Sequence, residues 1–217
     1  MAKSRPHIIL SAAVSLDGKI ATKTGDSEIS SIQDKIRVHR LRARSDAILV
    51  GKNTVKKDDP LLTVRYAKGK NPTRIILDSR AEISTNSKII KTSQLIPTII
   101  AVSKKAPKKN LLNLAKYPVK IITAGKDKVE IKKLLKILYK QGIKTILLEG
   151  GGTTNWDFVS KGLVDKVIVT ISPRLVGGTA ATTLVEGAGF AKIANSMKLK
   201  LRKAVRYGGE IVLHYQR

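Results

Sequence analysis

A carboxylate beside a glycine-rich turn is the sequence feature with the clearest chemical meaning. Glu149 ends the apolar run 145–148, and three glycines and Thr153 follow it. Glycines at a junction between strand and helix let the backbone approach a ligand, and the N–H groups that open the helix attract phosphate. In α/β proteins, ligands and catalytic groups collect at such strand ends. The pattern therefore predicts an enzyme that binds a phosphorylated cofactor at residues 150–153.

Two further segments carry weaker signals. Asp17 and Lys19 flank a glycine, which places an acid and an amine around one turn. Thr54 and Asp58 are four residues apart, so that they share one face of a helical turn and are able to contact one ligand. Arg65 can bind a phosphate through two parallel hydrogen bonds. Each pattern alone is also typical of an ordinary turn or helix cap.

The elements that position these residues alternate between strand and helix, which predicts an α/β fold with a central, mostly parallel sheet flanked by helices. A single domain over residues 1–217 accounts for the whole pattern. The predicted strands are 7–14, 47–51, 74–78, 98–102, 119–123 and 164–171.

Helix signals lie between these strands. Ser31 is a candidate cap for a helix that ends near Asp46, and Asp127 with Glu130 resembles a capping box for a helix that stops at Gly142. Another helix follows the glycine turn. Residues 199–206 and 210–215 alternate around two glycines, which predicts a C-terminal antiparallel hairpin.

The charge is unusually positive: 42 Lys and Arg face 16 Asp and Glu, for a formal charge of +26. Such a field attracts polyanions, so a nucleic-acid-binding module is one alternative. However, the basic residues are spread along the chain and only 4% of residues are aromatic, which does not suit a base-stacking surface. A basic surface around an enzyme for phosphorylated ligands is the preferred interpretation.

Composition also narrows the chemistry. The chain has no cysteine, which excludes disulfides, thiolate-bound zinc and a cysteine nucleophile. Its three histidines are far apart in sequence, so we expect no metal site. No apolar run approaches the roughly 20 residues that cross a bilayer, and we expect a cytoplasmic protein without membrane contact.

Five segments follow one another along the chain at suitable intervals. They are Ser-Leu-Asp-Gly-Lys at 15–19, Val-His-Arg-Leu-Arg-Ala at 38–43, Asp-Asp-Pro-Leu-Leu-Thr-Val-Arg at 58–65, Leu-Asp-Ser at 77–79 and Leu-Glu-Gly-Gly-Gly-Thr at 148–153. Taken in this order, they resemble the reductase of riboflavin biosynthesis, a member of the dihydrofolate-reductase-like group. The resemblance extends from about His7 to the C-terminal hairpin.

The resemblance implies NADPH-dependent reduction of a ribosylaminopyrimidine phosphate, with hydride reaching the anomeric carbon of the opened ribose. The zinc deaminase that is commonly fused to bacterial reductases has no counterpart here, since its cysteine motif is missing. The chain is similar to stand-alone archaeal and fungal versions, which implies 2,5-diamino-6-(ribosylamino)-4(3H)-pyrimidinone 5′-phosphate as substrate. It also implies a homodimer with apolar faces near the hairpin.

The resemblance implies the site residues as well. Lys19 would protonate or stabilise the ring oxygen, Glu149 would orient a sugar hydroxyl or the pyrimidine amine, and Asp17 would position Lys19. Ser79 and Arg80 would bind the cofactor 2′-phosphate, so that NADH binds more weakly than NADPH. The implied substrate residues are Ser27, Arg42, Leu62, Arg65 and Glu149. The implied cofactor residues are Thr54, Asp58, Leu77, Asp78, Ser79, Arg80, Gly125, Gly150, Gly151, Gly152 and Thr153.

Two other functions stay open besides nucleic-acid binding. One is a different NADPH-dependent reductase of the same fold, such as dihydrofolate reductase, which binds a neutral pterin with an acid near the first helix. Arg42 and Arg65 in that region suit a phosphate better. The other is a reductase of a different pterin or pyrimidine pathway.

Overall fold

The computed structural model describes residues 4–217, and their strands form one nine-stranded sheet. In chain order the strands are His7–Val14 (β1), Ala47–Gly51 (β2), Thr73–Leu77 (β3), Thr98–Val102 (β4), Lys120–Thr123 (β5), Thr145–Gly150 (β6), Lys166–Ile171 (β7), Lys200–Tyr207 (β8) and Glu210–Gln216 (β9). The helices are Ile32–Ala43 (α1), Lys52–Asp58 (α2), Lys88–Lys91 (α3), Lys108–Leu114 (α4), Ile131–Lys140 (α5) and Gly152–Val159 (α6), with a 3-10 turn at Ile193–Asn195.

The strand order across the sheet is β5-β4-β3-β2-β6-β1-β7-β9-β8. Neighbours from β5 through to β7 pair in parallel, whereas β9 pairs antiparallel with both β7 and β8. The predicted α/β fold with a C-terminal hairpin is therefore confirmed. The parallel pairing brings the carboxyl ends of β1, β2, β3 and β6 to one edge of the sheet, which is where ligands bind in open α/β sheets.

Apolar side chains cover both faces of the sheet. On one face, Leu134, Leu135 and Leu138 of α5 pack with Phe158 of α6, and all four are fully buried. On the other face, residues of α2, α3 and α4 form a second cluster that includes Val55. The leucines of α5 recur at helical spacing, which directs them to a single face of the helix.

Helix ends differ from the sequence prediction in two places. The first helix begins after Ser31, whose hydroxyl accepts from the Asp34 N–H at 3.3 Å, but it ends at Ala43 rather than near Asp46. The predicted capping box is wrong. Glu130 occupies the N-cap position of α5 without a side-chain cap bond, and Asp127 forms an ion pair with Lys105 instead.

The C-terminal hairpin follows the prediction and leaves an open edge. Gly208 in its turn has a φ of +56°, which glycine adopts without strain. β8 is an edge strand whose residues are mostly exposed. In residues 4–217, none of the helices is both long enough and apolar enough to traverse a lipid bilayer.

Candidate active site

A cavity of about 1100 Å³ opens at the carboxyl ends of β1, β2, β3 and β6. The helices α1, α2 and α6 and the loop before α1 complete its walls. This volume slightly exceeds the range of roughly 300–1,000 Å³ that single-ligand pockets occupy, which provides room for a cofactor and a substrate together.

A nearly buried ion pair joins α1 to β6 inside this cavity. The Arg42 guanidinium donates to both oxygens of Glu149, with Nε to Oε1 at 2.9 Å and Nη2 to Oε2 at 2.7 Å. Only 13% of the Arg42 side chain and 14% of the Glu149 side chain are exposed. Burial lowers the pKa of Arg42, but the Glu149 carboxylate more than offsets this and raises it above its usual value. Arg42 also donates to the Thr63 carbonyl at 3.0 Å.

Glu149 sits at an irregularity in the sheet. Leu49 of β2 pairs with Leu148, but the next residue, Val50, pairs with Gly150, so that Glu149 is an extra residue in β6. Such a bulge turns a side chain away from the regular alternation and is common beside active sites. Here the bulged residue is Glu149 itself, whose carboxylate accepts hydrogen bonds from Arg42.

His39 supports the same arrangement from α1. Its Nδ1 accepts from the backbone N–H of Arg65 at 2.7 Å, which places the ring proton on Nε2. The contact of 3.4 Å between Nε2 and Arg42 Nη1 therefore joins two donors and is not a hydrogen bond. Burial, followed by the charges of Arg42 and Arg65, lowers the pKa of His39 to about 4. His39 is thus neutral near neutral pH and anchors the chain that carries Arg65.

The turn that was predicted to bind phosphate is built from two junctions between strand and helix. Thr54 Oγ1 at the start of α2 accepts from the Gly151 N–H at 3.0 Å, which ties α2 to the N-terminus of α6. The first N–H groups of α6, from Gly152 to Thr154, have no acceptor within the helix and belong to residues on the cavity wall. Their position at a helix N-terminus suits an anion.

The glycines of this turn are required for reasons other than ligand approach. Gly150 has a φ of +76°, and a Cβ there would lie 2.8 Å from Asn155 Oδ1. A Cβ on Gly152 would lie 2.6 Å from the Thr183 carbonyl oxygen and 2.6 Å from Glu186 Cγ. The absence of side chains therefore serves the turn and the packing of loop 183–186, while the N–H groups provide the anion site.

The residues predicted to contact the cofactor near its adenosine ribose divide into two groups. Ser79 and Arg80 line the cavity, and Arg80 is exposed. Ser79 Oγ accepts from the Val129 N–H at 3.0 Å, so it also fixes the loop before α5. Asp78 is 1% exposed and accepts from the Ile83 N–H at 2.7 Å, which makes it the residue that shapes this turn.

Most predicted site residues meet at the cavity and a minority do not. Those on its wall are Ser27, Arg42, Thr54, Asp58, Leu62, Arg65, Leu77, Ser79, Arg80, Glu149, Gly151, Gly152 and Thr153. Those away from the wall are Asp17, Lys19, Asp78, Gly125 and Gly150. Gly125 has a φ of +104°, and a Cβ there would lie 2.1 Å from the Lys128 carbonyl oxygen, so a tight turn explains its glycine.

The predicted pairing of Asp17 with Lys19 is not the observed one. Asp17 accepts from the Ser15 hydroxyl at 2.6 Å and from the N–H groups of Val176 and Gly177 at 3.0 and 2.7 Å. The Ser15 hydroxyl and then these N–H groups hold the pKa of Asp17 well below its usual range. Lys19 Nζ lies 3.5 Å from the Ala181 carbonyl oxygen. Asp17 therefore anchors loop 176–177 rather than orienting the amine.

Arg65 is a cation on the cavity wall that suits a phosphate. It is exposed on the cavity wall, where its Nη1 donates to Thr63 Oγ1 at 3.3 Å and its guanidinium lies 5.9 Å from the Tyr66 ring centroid. Arg42 was predicted to contact the phosphate as well, but most of its donors are engaged by Glu149 and Thr63. Its role in this arrangement is to hold Glu149.

Sequence reasoning missed His39 and Asp34 as site residues. His39 lies three residues before Arg42 on α1, a spacing that places both on one helix face and could have revealed the pair. Asp34 lies in the first turn of α1, where an acid is ordinarily explained by the helix dipole. The structure instead buries Asp34 on the cavity wall. An acid near the first helix is thus present, contrary to the sequence comparison with dihydrofolate reductase.

The comparison with known proteins agrees with this geometry. The family model described as the RibD C-terminal domain matches residues 6–213. The chain belongs to this family. A Methanothermobacter thermautotrophicus protein named 2,5-diamino-6-ribosylamino-4(3H)-pyrimidinone 5′-phosphate reductase is 43% identical over 97% of this chain and 98% of its own. An Aquifex aeolicus protein of the same name is 40% identical over 98% of this chain and 96% of its own. The resemblance to the riboflavin-biosynthesis reductase is confirmed.

Solved structures agree on the fold. Acinetobacter baumannii RibD superposes with a TM-score of 0.84 at 28% identity, over all of this chain and 59% of that longer one. Dihydrofolate reductase from Enterococcus faecalis superposes with a TM-score of 0.53 at 11% identity, over 97% of this chain and 96% of its own, which shows the fold alone. In the described part of the chain, the acidic and histidine side chains form no cluster of three or more that could hold a metal ion.

Replacement of His39 by Asn tests whether the His39 imidazole is neutral in the folded protein. The folded-state pKa of about 4 lies below the ordinary value of 6.5, so the unfolded chain binds the proton more tightly. The contribution of His39 to stability is complete above about pH 6.5 and is lost as the pH falls towards about 4, by an amount on the order of 2 kcal/mol. We expect urea denaturation to show this loss in the wild type and a smaller loss in His39→Asn. Parallel pH profiles of the two proteins would contradict the assignment.

Proposed function

We propose that the protein reduces the ribose of 2,5-diamino-6-(ribosylamino)-4(3H)-pyrimidinone 5′-phosphate to its ribityl form with NADPH. The observation that carries the proposal is the Arg42–Glu149 pair, which shares one cavity with the helix N-terminus at 152–154. An acid for the sugar or base and an anion site for a dinucleotide are what this reaction requires side by side. Full-length relatives bearing this reductase name support the choice of substrate.

The residues present fit a nicotinamide dinucleotide. The N–H groups that open α6 suit the pyrophosphate, and Arg80 with Ser79 at the end of β3 suits the 2′-phosphate of NADPH. In residues 4–217, the Arg80 guanidinium has no carboxylate within 4.0 Å. When bound, NADPH supplies the hydride.

Each of the residues proposed to contact or position the substrate has a separate role. Arg65 and Ser27, which both line the cavity, bind the 5′-phosphate. Glu149, held in place by Arg42, accepts hydrogen bonds from a sugar hydroxyl or the pyrimidine amine. Lys19 precedes two wall residues, Ile20 and Ala21, and donates a proton to the ring oxygen as the furanose opens. Asp17 contributes by fixing the loop that faces Lys19.

A cofactor titration tests the dinucleotide site. Arg80→Ala should weaken NADPH binding by about tenfold and leave NADH binding nearly unchanged, because only NADPH carries the 2′-phosphate. Fluorescence titration with each cofactor measures both constants. Arg40→Ala is the matched control, since Arg40 is exposed on α1 outside the cavity and its loss changes the net charge equally. Equal weakening of both cofactors, or an effect equal to that of the control, would place the 2′-phosphate elsewhere.

Turnover of the proposed substrate tests the catalytic roles. Glu149→Gln should lower kcat/KM by about 100-fold, and Lys19→Ala should lower kcat by a similar factor, both with unchanged NADPH affinity. Gln retains an acceptor for Arg42, which limits the loss of stability. Dihydrofolate should not be reduced. Near-normal turnover by Lys19→Ala would remove that residue from the chemistry, and reduction of dihydrofolate alone would favour the other reductase.

We also propose a homodimer formed through the hairpin region. Leu175, Ile193, Leu201 and Ile211 are exposed by 78%, 88%, 55% and 47%, and they lie on the hairpin or the loop before it. The β8 edge beside them has no neighbouring strand. A second copy that covers this region would remove both the apolar surface and the open edge from water.

Sedimentation velocity tests the dimer. The wild type should sediment as a dimer and Leu201→Glu as a monomer, because a buried unpaired carboxylate opposes association. Leu112→Glu is the control, since Leu112 on α4 is similarly exposed at 58% but lies far from the hairpin in the sheet order. A monomeric wild type, or identical behaviour of the two variants, would contradict the proposal.

A further inference from the structure

Within residues 4–217, two buried polar atoms on the cavity wall have no hydrogen-bond partner. Asp34 is 2% exposed and its Oδ2 is unpaired, and Ser11 is 4% exposed and its Oγ is unpaired. Both residues line the cavity. Leaving a buried polar group without a partner costs about 1–3 kcal/mol, so such atoms call for an explanation. A ligand in the cavity that hydrogen-bonds to them provides one.

The Asp34 carboxylate is held rigidly by its other oxygen. Oδ1 accepts from the Thr170 hydroxyl at 2.5 Å and from Arg37 Nε at 2.7 Å. Arg37 Nη2 in turn donates to Thr170 Oγ1 at 3.2 Å. One oxygen therefore fixes the group against β7, and within residues 4–217 the second oxygen has no partner.

Ser11 lies on the same face of the sheet as this carboxylate. Ala13 of β1 pairs with Thr170 of β7, and Ser11 is two residues before Ala13. Successive side chains alternate between the two faces of a strand, so the side chains of Ser11 and Thr170 lie on the same face of the sheet. Their Cα atoms are one strand apart and two residues apart along the strand, which is a distance of about 8 Å.

We propose that Asp34 and Ser11 recognise the pyrimidine ring, with Asp34 Oδ2 accepting a hydrogen bond from the 2-amino group. This inference rests on the proposed function and makes it more specific. An ionised carboxylate is an acceptor only, so the ring edge that faces it must be a donor. The 2-amino group of the pyrimidinone is such a donor, whereas deamination replaces it with a carbonyl oxygen. Asp34 thus selects the ring that still carries its 2-amino group.

The discrimination has a clear physical origin. With the deaminated ring, Asp34 Oδ2 stays unpaired and meets a second acceptor, which adds repulsion to the lost hydrogen bond. A site that hydrogen-bonds a polar group of its substrate rejects analogues that lack it by factors far larger than apolar pockets achieve. We expect the wild type to favour the 2-amino substrate over its 2-oxo counterpart by about 100-fold or more in kcat/KM.

Asp34→Asn is the central variant. Asn keeps an oxygen for the Thr170 hydroxyl and presents an amide group that is able to donate to a carbonyl. The 2-amino substrate should lose about 30-fold or more in kcat/KM, and the 2-oxo substrate should be unchanged or improved. Ser11→Ala removes a hydroxyl that has no partner, so it should fold normally and raise KM for the 2-amino substrate about threefold or more. Glu130→Gln is the control, since that carboxylate is exposed outside the cavity.

Calorimetry with the two ribityl products separates this inference from the reductase activity, because it needs no turnover. A wild-type preference for the 2-amino product that Asp34→Asn abolishes supports the inference, even if neither substrate is reduced and the proposed function fails. Equal affinities for both products in the wild type would overturn it. The same holds if the ratio of the affinities for the 2-amino and 2-oxo products is unchanged in Asp34→Asn. If Asp34→Asn does not fold, Ser11→Ala provides the test. A KM and a product affinity of Ser11→Ala equal to those of the wild type would overturn the inference.

Discussion

The contact between Arg42 and Glu149 is the interaction on which the remaining site depends. It attaches α1 to the end of β6 within a cavity, and both side chains are largely shielded from water. Removing one partner of such a buried pair costs about 3–5 kcal/mol, because the other charge is left unpaired. The pair also fixes where the acid lies relative to His39 and the Arg65 backbone. A single electrostatic contact therefore sets the geometry of the proposed substrate half of the cavity.

The proposed cofactor half is organised differently, through backbone groups rather than charges. Thr54 joins the start of α2 to the start of α6, so that the two junctions between strand and helix form one wall. The charge of +26 surrounds this neutral frame and favours anionic ligands over the whole surface. Specificity for one anion must then come from placed groups such as Arg80, because a general field attracts every polyanion alike.

Local patterns in the sequence predicted most of the fold. The strands 47–51 and 98–102 are apolar throughout because both faces of the sheet are covered, and the α5 leucines repeat with the helical period. The site was predictable where a functional residue and the residues that explain its role lie in one short segment, as in residues 149–153. It was not predictable where the partner is distant. Asp17 meets residues 176–177, and Asp34 meets Thr170, so neither role is visible without the tertiary structure.

Transfer of deuterium tests the central claim most directly. The protein would be incubated with the proposed substrate and NADPH that carries deuterium at the transferable nicotinamide position, and the product would be analysed by mass spectrometry. If one cavity holds both molecules as described, the label appears on the former anomeric carbon of the ribityl chain. A reduced product without the label at that carbon, or no NADPH-dependent reduction at all, would contradict the account.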